Sequence, residues 1–530
     1  MSPAPHTQLF VGGRIYSASA PDATAMAVTD GTIVWVGQDR TGRVLHPDAE
    51  IVDLDGAFVA PGFVDTHVHV TAHGLALTGL DLTGAANRDD VLRRVGEYAA
   101  GRDDAVIWGH GWDETRWPDP TPPTTDELDA AAPGRLVYLG RIDAHSAAAS
   151  TARRGGPRAR AQHGGDPPPR PRPPPPPPPR GPPPPPGPAP PPPALDDFAA
   201  HGIVAVHECG GPDISGRDDF TELLATDHPV EVRGYWGQAV RTADDATALL
   251  AATGAHALGG DLFVDGAFGS HTAWLAAPYA DRPDCHGTAY LSTEELADHV
   301  RACTTAGIQA GFHVIGDAAV AATVAAFDAV AAELGGPAVG ARGHRLEHVE
   351  SITGAQAEQL ARYGVIASMQ PMFDALWGGP DAMYAQRLGT ARAATLNAFA
   401  GIASTGMSLA FGSDAPVTPP RPWQMLRAAV HHRTPGSGIS PRAAFAASTR
   451  GAWRAGGVRD GMAGTLDPGA PASYALWEAG DLVIRAPKDS VQRWSTDPRS
   501  RVAPLPDLAD GTDDPVLVRS VHRGHVVYAR

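Results

Sequence analysis

From Gly202 to Asp414, short apolar runs alternate with amphipathic stretches at a steady pace. The stretch STEELADHVRACTTAG opens on a capping box, Ser292 with Glu295, and stops at Gly307. Its apolar Leu296, Val300 and Cys303 recur at helical spacing, so a helix is predicted there. AGFHVIGD, RLEHVE, VIASMQP and SLAFGSD read as strands separated by helical patterns, the first of them alanine-rich to about Gly335. This alternation predicts an α/β fold of parallel βαβ units. Closed into an eight-fold barrel, such units gather functional side chains at the C-terminal strand ends.

The two ends of the chain differ from the middle. Leu9 to about Ile51 carries short apolar runs broken by glycine, with Ile33 and Trp35 alternating between Gly31 and Gly37. GTLDPGAPASYALWE and VRSVHRGHVVYAR repeat that character near the C-terminus. Both ends are therefore expected to build one composite β domain, residues 1–60 with 455–530, around a middle at 61–454 that carries an insertion at about 75–200.

Pro167 to Pro193 is a run of 27 residues of which 21 are proline. Proline lacks the backbone N–H that ladders and helix interiors require, so this run is no barrel structure. It reads either as a polyproline II linker or ligand, or as GC-rich DNA translated out of frame, the second being favoured. Residues 151–194 are expected to be disordered.

Charge and composition narrow the function. Lys+Arg 42 against Asp+Glu 59 gives a formal net charge of −17, which argues against a nucleic-acid surface. The N-terminus has neither a basic start nor a long apolar run, so neither a signal peptide nor a membrane anchor is expected. Cys209, Cys285 and Cys303 are too few and too scattered for a disulfide framework or a CxxC zinc site, and the expected compartment is cytoplasmic. A homodimer stays open. Lys488 is the one lysine, and the abundance of Ala, Gly, Pro and Arg reflects GC-rich codons.

The strongest chemical signal is APGFVDTHVHV. Residues i and i+2 of a strand share a side, so His67 and His69 converge, and paired imidazoles suit zinc or a late transition metal. His313, His348 and Asp414 each end a later apolar run. One such histidine is most often a satisfied rim residue. Four histidines and an aspartate at one end of successive βα units point to a metal.

This arrangement resembles the amidohydrolase superfamily, in its amidohydrolase-3 or YtcJ-like branch. The supporting pieces are LFVGGRIY, GTIVWVG, PGFVDTHVH, GHGWDETRWP, GRIDAHS, VHECGGP, DLFVDGAFGS, FHVIGDAA, EHVE, GSDAPV and GTLDPGAPA. The resemblance implies a (β/α)8 metal-dependent hydrolase barrel, the two-ended β-sandwich and one or two divalent metals, zinc foremost. His67 and His69 would be ligands on strand 1, His313 and His348 on strands 5 and 6, and Asp414 on strand 8, where it would also act as general base. His348 or His313 would polarise the scissile carbonyl. Many binuclear members bridge their metals with a carboxylated lysine on strand 4, a bridge this chain cannot form. Asp265 or Glu208 could replace it, although Asp265 also reads as a turn residue and Glu208 as the partner of an arginine. A single catalytic ion is favoured, and two remain open.

Weaker candidates for substrate contact are Trp112, Asp113, Arg141, His145, Gln370 and Arg387. The tryptophans read equally as the insertion's own core, Arg141 with Asp143 as a brace, and Asp317 as a helix cap. The implied activity is hydrolysis of a C–N bond, an amide or cyclic amide, on a small-molecule substrate by metal-activated water. Competing readings are a deaminase of an amino-substituted ring, a barrel impaired where the proline tract replaces a family segment, and an interaction protein using that tract.

Overall fold

A computed structural model describes residues 6–102, 104–151, 191–484 and 502–530. Two sheets collect the chain ends. One runs Thr32–Gly37, Ala25–Thr29, Thr7–Val11, Glu50–Asp53. The other runs Arg14–Ile15, Phe58–Pro61, Tyr474–Glu478, Val516–His522, His525–Ala529, so residues from both ends alternate across its ladders. Phe10, Met26, Ile33, Val59, Tyr474 and Val521 share one apolar cluster between them, which is where the inward half of each alternating pattern goes.

The middle of the chain is parallel. Phe63–Val68, Ile203–Gly210 and Glu231–Trp236 pair in one sheet. Gly311–Val314, Arg345–His348, Ile366–Met369 and Ser408–Phe411 pair in another. The regular ladders make two sheets, not one continuous sheet. Isolated parallel bridges join them, Val68 to Ala415 on one side and Tyr235–Ala257, Leu258–Ala310 and Phe263–His313 on the other. The glycines at Gly259 and Gly260 explain why this second junction is irregular. A Cβ at Gly259 would lie 2.5 Å from the backbone of Gly311, and Gly260 sits at φ +68°. Helices Thr293–Ala306, Asp317–Leu334 and Pro422–Val430 cover the parallel strands, burying Val300, Phe327 and Leu426 in the main core with Phe312 and Leu346. The capping box of Ser292 and Glu295 forms as expected, and Gly307 closes that helix in the left-handed region.

Between Phe63–Val68 and Ile203–Gly210 the insertion builds its own sheet in the order Ala147–Ala149, Leu136–Arg141, Val106–Trp112, Leu80–Asp81. Most of the proline tract lies outside the described residues. At its far end the expectation of disorder is corrected: Pro191–Ala200 is helical, with Ala194 buried. Proline fits the first turn of a helix because those N–H groups have no intrahelical acceptor, and the following Leu195 and Phe198 anchor the turn in the core. Among the described residues no helix is long and apolar enough to cross a membrane.

Candidate metal centre

His67 stands in the strand Phe63–Val68, fully buried, and His69 directly precedes the helix Val70–Thr78. His313 and His348 come from the neighbouring strands Gly311–Val314 and Arg345–His348, and Asp414 follows Ser408–Phe411. Ligand atoms of His67, His69 and Asp414 lie within 4.8 Å of one another, and the rings of His348 and His313 pack alongside. His67 and His348 ring centroids are 4.9 Å apart, His313 and His348 4.5 Å. His348 at φ +68° and Asp414 at φ +59° both occupy the left-handed region, where a non-glycine backbone stores about 1–3 kcal/mol. The bond from Asp414 N to the His67 carbonyl, 2.8 Å, helps hold Asp414 there.

At the centre of the cluster is a residue that sequence reasoning missed, Asp261. Its Oδ1 lies 3.3 Å from His67 Nε2 and 3.4 Å from His313 Nδ1, and its Oδ2 lies 3.3 Å from His69 Nε2. Asp414 Oδ1 lies 3.3 Å from His69 Nε2 and 3.6 Å from His67 Nε2. The available signal was the Gly259–Gly260 pair just ahead of Asp261. By bending the chain, it ends the extended run at Asp261, whereas the apolar stretch LFV drew attention to Asp265.

The tautomers of three rings are fixed from behind. His67 Nδ1 donates to Glu347 Oε2 at 3.0 Å, His348 Nδ1 donates to Gln370 Oε1 at 2.7 Å, and His313 Nε2 faces the Gly266 carbonyl at 3.4 Å. Each ring therefore turns a lone pair inward. His67 Nε2, His313 Nδ1, Asp261 Oδ1 and Asp414 Oδ1 are buried without a hydrogen bond among the described residues. Lone pairs facing one another in a dry site are unfavourable unless protons or a cation lie between them. The spacing decides between these. Charged N–H···O contacts close to about 2.7–2.9 Å, whereas two ligands on one tetrahedral zinc with bonds near 2.1 Å stand about 3.4 Å apart. The observed separations are the second kind, so the donor set fits a divalent metal.

Without a cation the same atoms compete for protons. Burial opposes charge on His69, but the carboxylates of Asp261 and Asp414 outweigh it and raise its pKa to about 10. His67 shifts the same way. Asp261 is held well below the carboxylate range, burial again being outweighed by the surrounding imidazoles. His348 is pushed down by burial, with His313 and His67 adding to the effect.

The other sequence candidates divide. His145 joins the site from the insertion, its ring 5.1 Å from His313, with a pKa lowered to about 4 by burial and by His313. Gln370 orients His348. Asp265 takes its turn reading: its carboxylate accepts from the backbone N–H groups of Trp274, Ile315 and Gly316 at 2.7, 2.9 and 2.7 Å, and burial raises its pKa to about 7. Among the described residues Glu208 pairs with no arginine; it accepts from the Val70 N–H at the start of the helix Val70–Thr78 at 2.7 Å. Among the described residues neither makes an ion-pair contact with the clustered histidines, as Asp261 and Asp414 do. Trp112 belongs to the insertion's own core, its indole N–H donating to the Leu139 carbonyl at 3.0 Å. Asp113 accepts from the Thr115 N–H, 3.1 Å, and stands beside Arg141. Arg141 braces Glu114 at 2.8 Å and Asp143 at 2.7 Å. Arg387 ties Glu114 at 3.0 Å to Asp281 at 2.7 Å. Among the described residues these four bond within the insertion and its seam, while Arg387 Nε is buried without a hydrogen-bond partner. Asp317 does not cap its helix as expected: Gly316 is the N-cap, and Asp317, the first helical residue, accepts from the Ala276 and Ala318 N–H groups, each at 2.9 Å, tying the Ala276 loop to the helix start.

A narrow cleft opens on the cluster, lined by His145, His313, His348 and Asp414 together with Phe268, Phe373, Trp377 and Tyr384. Glu350, a second acid missed in the sequence, lies in the wall, where its carboxylate accepts from the Tyr384 hydroxyl and from Asn397 Nδ2 at 2.9 Å.

Known proteins share this chain's sequence pattern and fold. The model of the Amidohydrolase family matches residues 50–168 and 193–528, on both sides of the proline tract. The chain is 26% identical over 511 residues to the Arabidopsis thaliana protein LONG AFTER FAR-RED 3, covering 88% of this chain and 86% of that one. It is 27% identical over 449 residues to the amidohydrolase YtcJ of Bacillus subtilis, covering 79% and 82%. A solved structure of an uncharacterized metal-dependent hydrolase from Pyrococcus horikoshii OT3 shares the fold, with a TM-score of 0.65 at 21% identity over 89% of this chain and 98% of that chain. With its matched stretches reaching across most of its length, the chain belongs to the amidohydrolase family.

Proposed function

We propose that the protein is a metal-dependent hydrolase that cleaves the C–N bond of an amide or cyclic amide in a small molecule. The observation that carries this reading is the convergence of unpartnered, buried lone pairs from His67, Asp261, His313 and Asp414 at ligand spacing. In this reading the two parallel sheets and the run Ala257–Val264 close into one (β/α)8 barrel. The terminal sheets, residues 1–60 and 455–530, form a composite β-sandwich. Free thiols at Cys209, Cys285 and Cys303 accord with a cytoplasmic setting.

His67, His69 and Asp414 would hold the ion, zinc being the best match to imidazole and carboxylate donors. When bound, a divalent metal lowers the pKa of water from ~15.7 toward ~7. The residues do the rest. Asp414 lines the cleft and takes the proton from the attacking water as its oxygen bonds to the carbonyl carbon. His145, held neutral by burial, donates a hydrogen bond to the carbonyl oxygen as charge builds there, beside His313. Asp414 then passes its proton to the nitrogen as the C–N bond breaks, leaving a carboxylic acid and an amine. Phe373, Trp377 and Tyr384 exclude water from the non-reacting end of the substrate.

Metal analysis of the purified protein beside His67→Ala and Asp414→Asn tests this. His67→Ala should lose metal, and Asp414→Asn should lose about 10²–10⁴-fold in kcat. Metal-dependent hydrolysis that survives intact in Asp414→Asn would remove Asp414 as the base. In the same screen, a freed carboxylate marks the amidase and ammonia release the ring deaminase. Metal bound without turnover marks an impaired barrel, a reading favoured only by the break in the family match across 169–192.

A further inference from the structure

We propose that Arg342, Arg454 and Arg459 form a binding site for a small oxyanion, a phosphate group free or esterified, at the starts of the parallel strands. It lies at the opposite end of the strand Arg345–His348 from His348 and is independent of the hydrolase reading.

The frame of the site is backbone. Arg342 stands in the turn that leads into Arg345–His348. Arg459 Nη1 donates to the Ala341 carbonyl at 2.5 Å, and its Nη2 lies only 2.3 Å from where a Cβ on Gly343 would stand. The Arg459 guanidinium therefore lies across the stretch of chain that carries Arg342, and Gly343, at φ +59°, lets it come so close. On the other side Arg342 reaches the C-terminal end of the helix Thr293–Ala306, its Nη1 3.5 Å from a Cβ position on Gly307. Arg454 belongs to the last turn of the helix Arg450–Ala455. One side chain pins both stretches, since Gln309 Nε2 donates to the Gly343 carbonyl at 2.6 Å and to the Ala455 carbonyl at 3.1 Å. The Tyr235 hydroxyl adds a second bond to the Ala455 carbonyl at 2.9 Å.

The charge of this group is not balanced by the residues around it. Among the described residues none of the three arginines pairs with a carboxylate, and Arg342 Nε is buried without a hydrogen bond. Arg301, on the helix that Arg342 reaches, shows the ordinary case by taking Asp298 at 2.6 Å and Glu333 at 2.8 Å. Asp460, next to Arg459, accepts instead from the N–H groups of Met462 and Ala463, at 2.8 and 2.9 Å. Burial lowers the pKa of Arg459, and the charges of Arg454 and Arg342 push it further down. His344, lowered to about 3 by burial and by His299, is pressed the same way by Arg342 and Arg459. A helix C-terminus favours a cation, which accounts for Arg342 beside Gly307 and for Arg454, but not for Arg459 brought in against both. With Asp+Glu 59 against Lys+Arg 42, carboxylates are plentiful in this chain, so leaving three guanidiniums together without one calls for a counter-charge from solution. Guanidinium forks hold phosphate oxygens through paired, charge-assisted N–H···O bonds. Arg454 and Arg459 are exposed, which gives such a group its way in. A nucleic acid or an acidic protein would need a broad basic face, which a chain of net charge −17 does not offer.

The test is calorimetric titration and thermal unfolding of the full chain with inorganic phosphate, beside sodium chloride at matched ionic strength. Both are run on metal-loaded and on chelator-treated protein, so that phosphate held at the metal centre is told apart. One equivalent should bind saturably after chelation, and Tm should climb with phosphate concentration but not with chloride. Arg342→Gln and Arg454→Gln should each weaken that binding at least about tenfold, the loss expected for a hydrogen bond between charged groups. Arg362→Gln, which removes an exposed partner of Glu358, should leave it unchanged. In phosphate-free buffer of low ionic strength Arg454→Gln should melt above the native protein, because it relieves repulsion; an arginine serving only as packing would not behave so. Phenyl phosphate bound more tightly than inorganic phosphate identifies an esterified ligand, and the reverse identifies the free ion; both keep the site. Heat that does not saturate, an equal rise of Tm in chloride, or full affinity in both arginine variants would mean an adventitious ion only and overturn the proposal.

Discussion

Glu347 sits behind His67 and in front of Arg345. It accepts from His67 Nδ1 at 3.0 Å and from Arg345 at 2.6 and 2.8 Å, and all three side chains are fully buried. Burial would raise its pKa, but Arg345 and His67 outweigh that and hold it below the carboxylate range. Its negative charge fixes the His67 tautomer and makes Nε2 a better donor, the usual work of a carboxylate behind a metal-binding histidine. Glu347→Gln should therefore weaken metal binding about 10–100-fold. It should also destabilise the fold by about 3 kcal/mol, because Arg345 loses its counter-charge in a dry interior. Zn²⁺ titration and urea unfolding measure the two effects separately. Unchanged affinity beside lowered stability would reduce Glu347 to a partner of Arg345. The sequence made His67, His69, His313, His348 and Asp414 visible because each closes an apolar run, and their recurrence over successive βα units outweighs the rim reading that any one of them alone would carry. Glu347 and Asp261 gave no such signal. An acid inside or before a strand reads as solvent-facing or as a turn until its neighbours from distant parts of the chain are in place.

The insertion is held to the rest of the molecule by charge as well as by its own apolar core. Arg141 pairs with Glu114 and Asp143, and Glu114 continues to Arg387 on the helix Met383–Leu388. Arg141→Met removes the cation and leaves two buried acids facing each other, which should cost about 3–5 kcal/mol in unfolding free energy. Arg387→Ala cuts only the seam. That variant should keep its metal content and global stability to within about 1 kcal/mol, yet be cleaved faster between residues 80 and 151 in limited proteolysis. Equal cleavage rates would show that packing alone seats the insertion. At this scale most of the architecture was legible, since apolar runs of strand length and capped helices appear in order from Gly202 to Asp414. The run at Ala257–Val264 was not placed as a strand. Its glycines interrupt the ladder and leave single bridges where neighbouring strands have regular pairing. The indole of Trp112 was ambiguous for a different reason, because a buried aromatic looks the same in sequence whether it lines a cleft or a core.

Across the whole molecule, metal binding and stability are tied through protons. In the metal-free protein His69 has its pKa raised from the ordinary 6.5 to about 10, and His67 moves in the same direction. A histidine whose folded pKa is raised stabilises the fold fully below its unfolded pKa, and that stability is lost as pH rises through the folded value. The buried acids Glu208, Asp265 and Glu350, each raised by burial to about 7, act in the same direction at lower pH, between the ordinary carboxylate range and neutrality. Histidines pushed down by burial, such as His348 and His145, matter only on the acid side of 6.5. The interval from pH 7 to pH 9 therefore isolates the metal-binding pair. Over it the chelator-treated protein should lose stability steadily, because folding keeps on His67 and His69 protons that the unfolded chain has already released. A cation entering the site displaces those same protons, so its affinity should rise roughly tenfold per pH unit for each proton displaced. The gap in Tm between zinc-loaded and chelator-treated protein should then widen from pH 7 to pH 9 and narrow toward pH 6. Calorimetry in buffers of different ionisation enthalpy would count the protons released on binding. A gap that stays flat across the interval, with no proton released, would mean that the imidazoles enter the reaction already neutral and that Asp261 and Asp414 do not hold them charged.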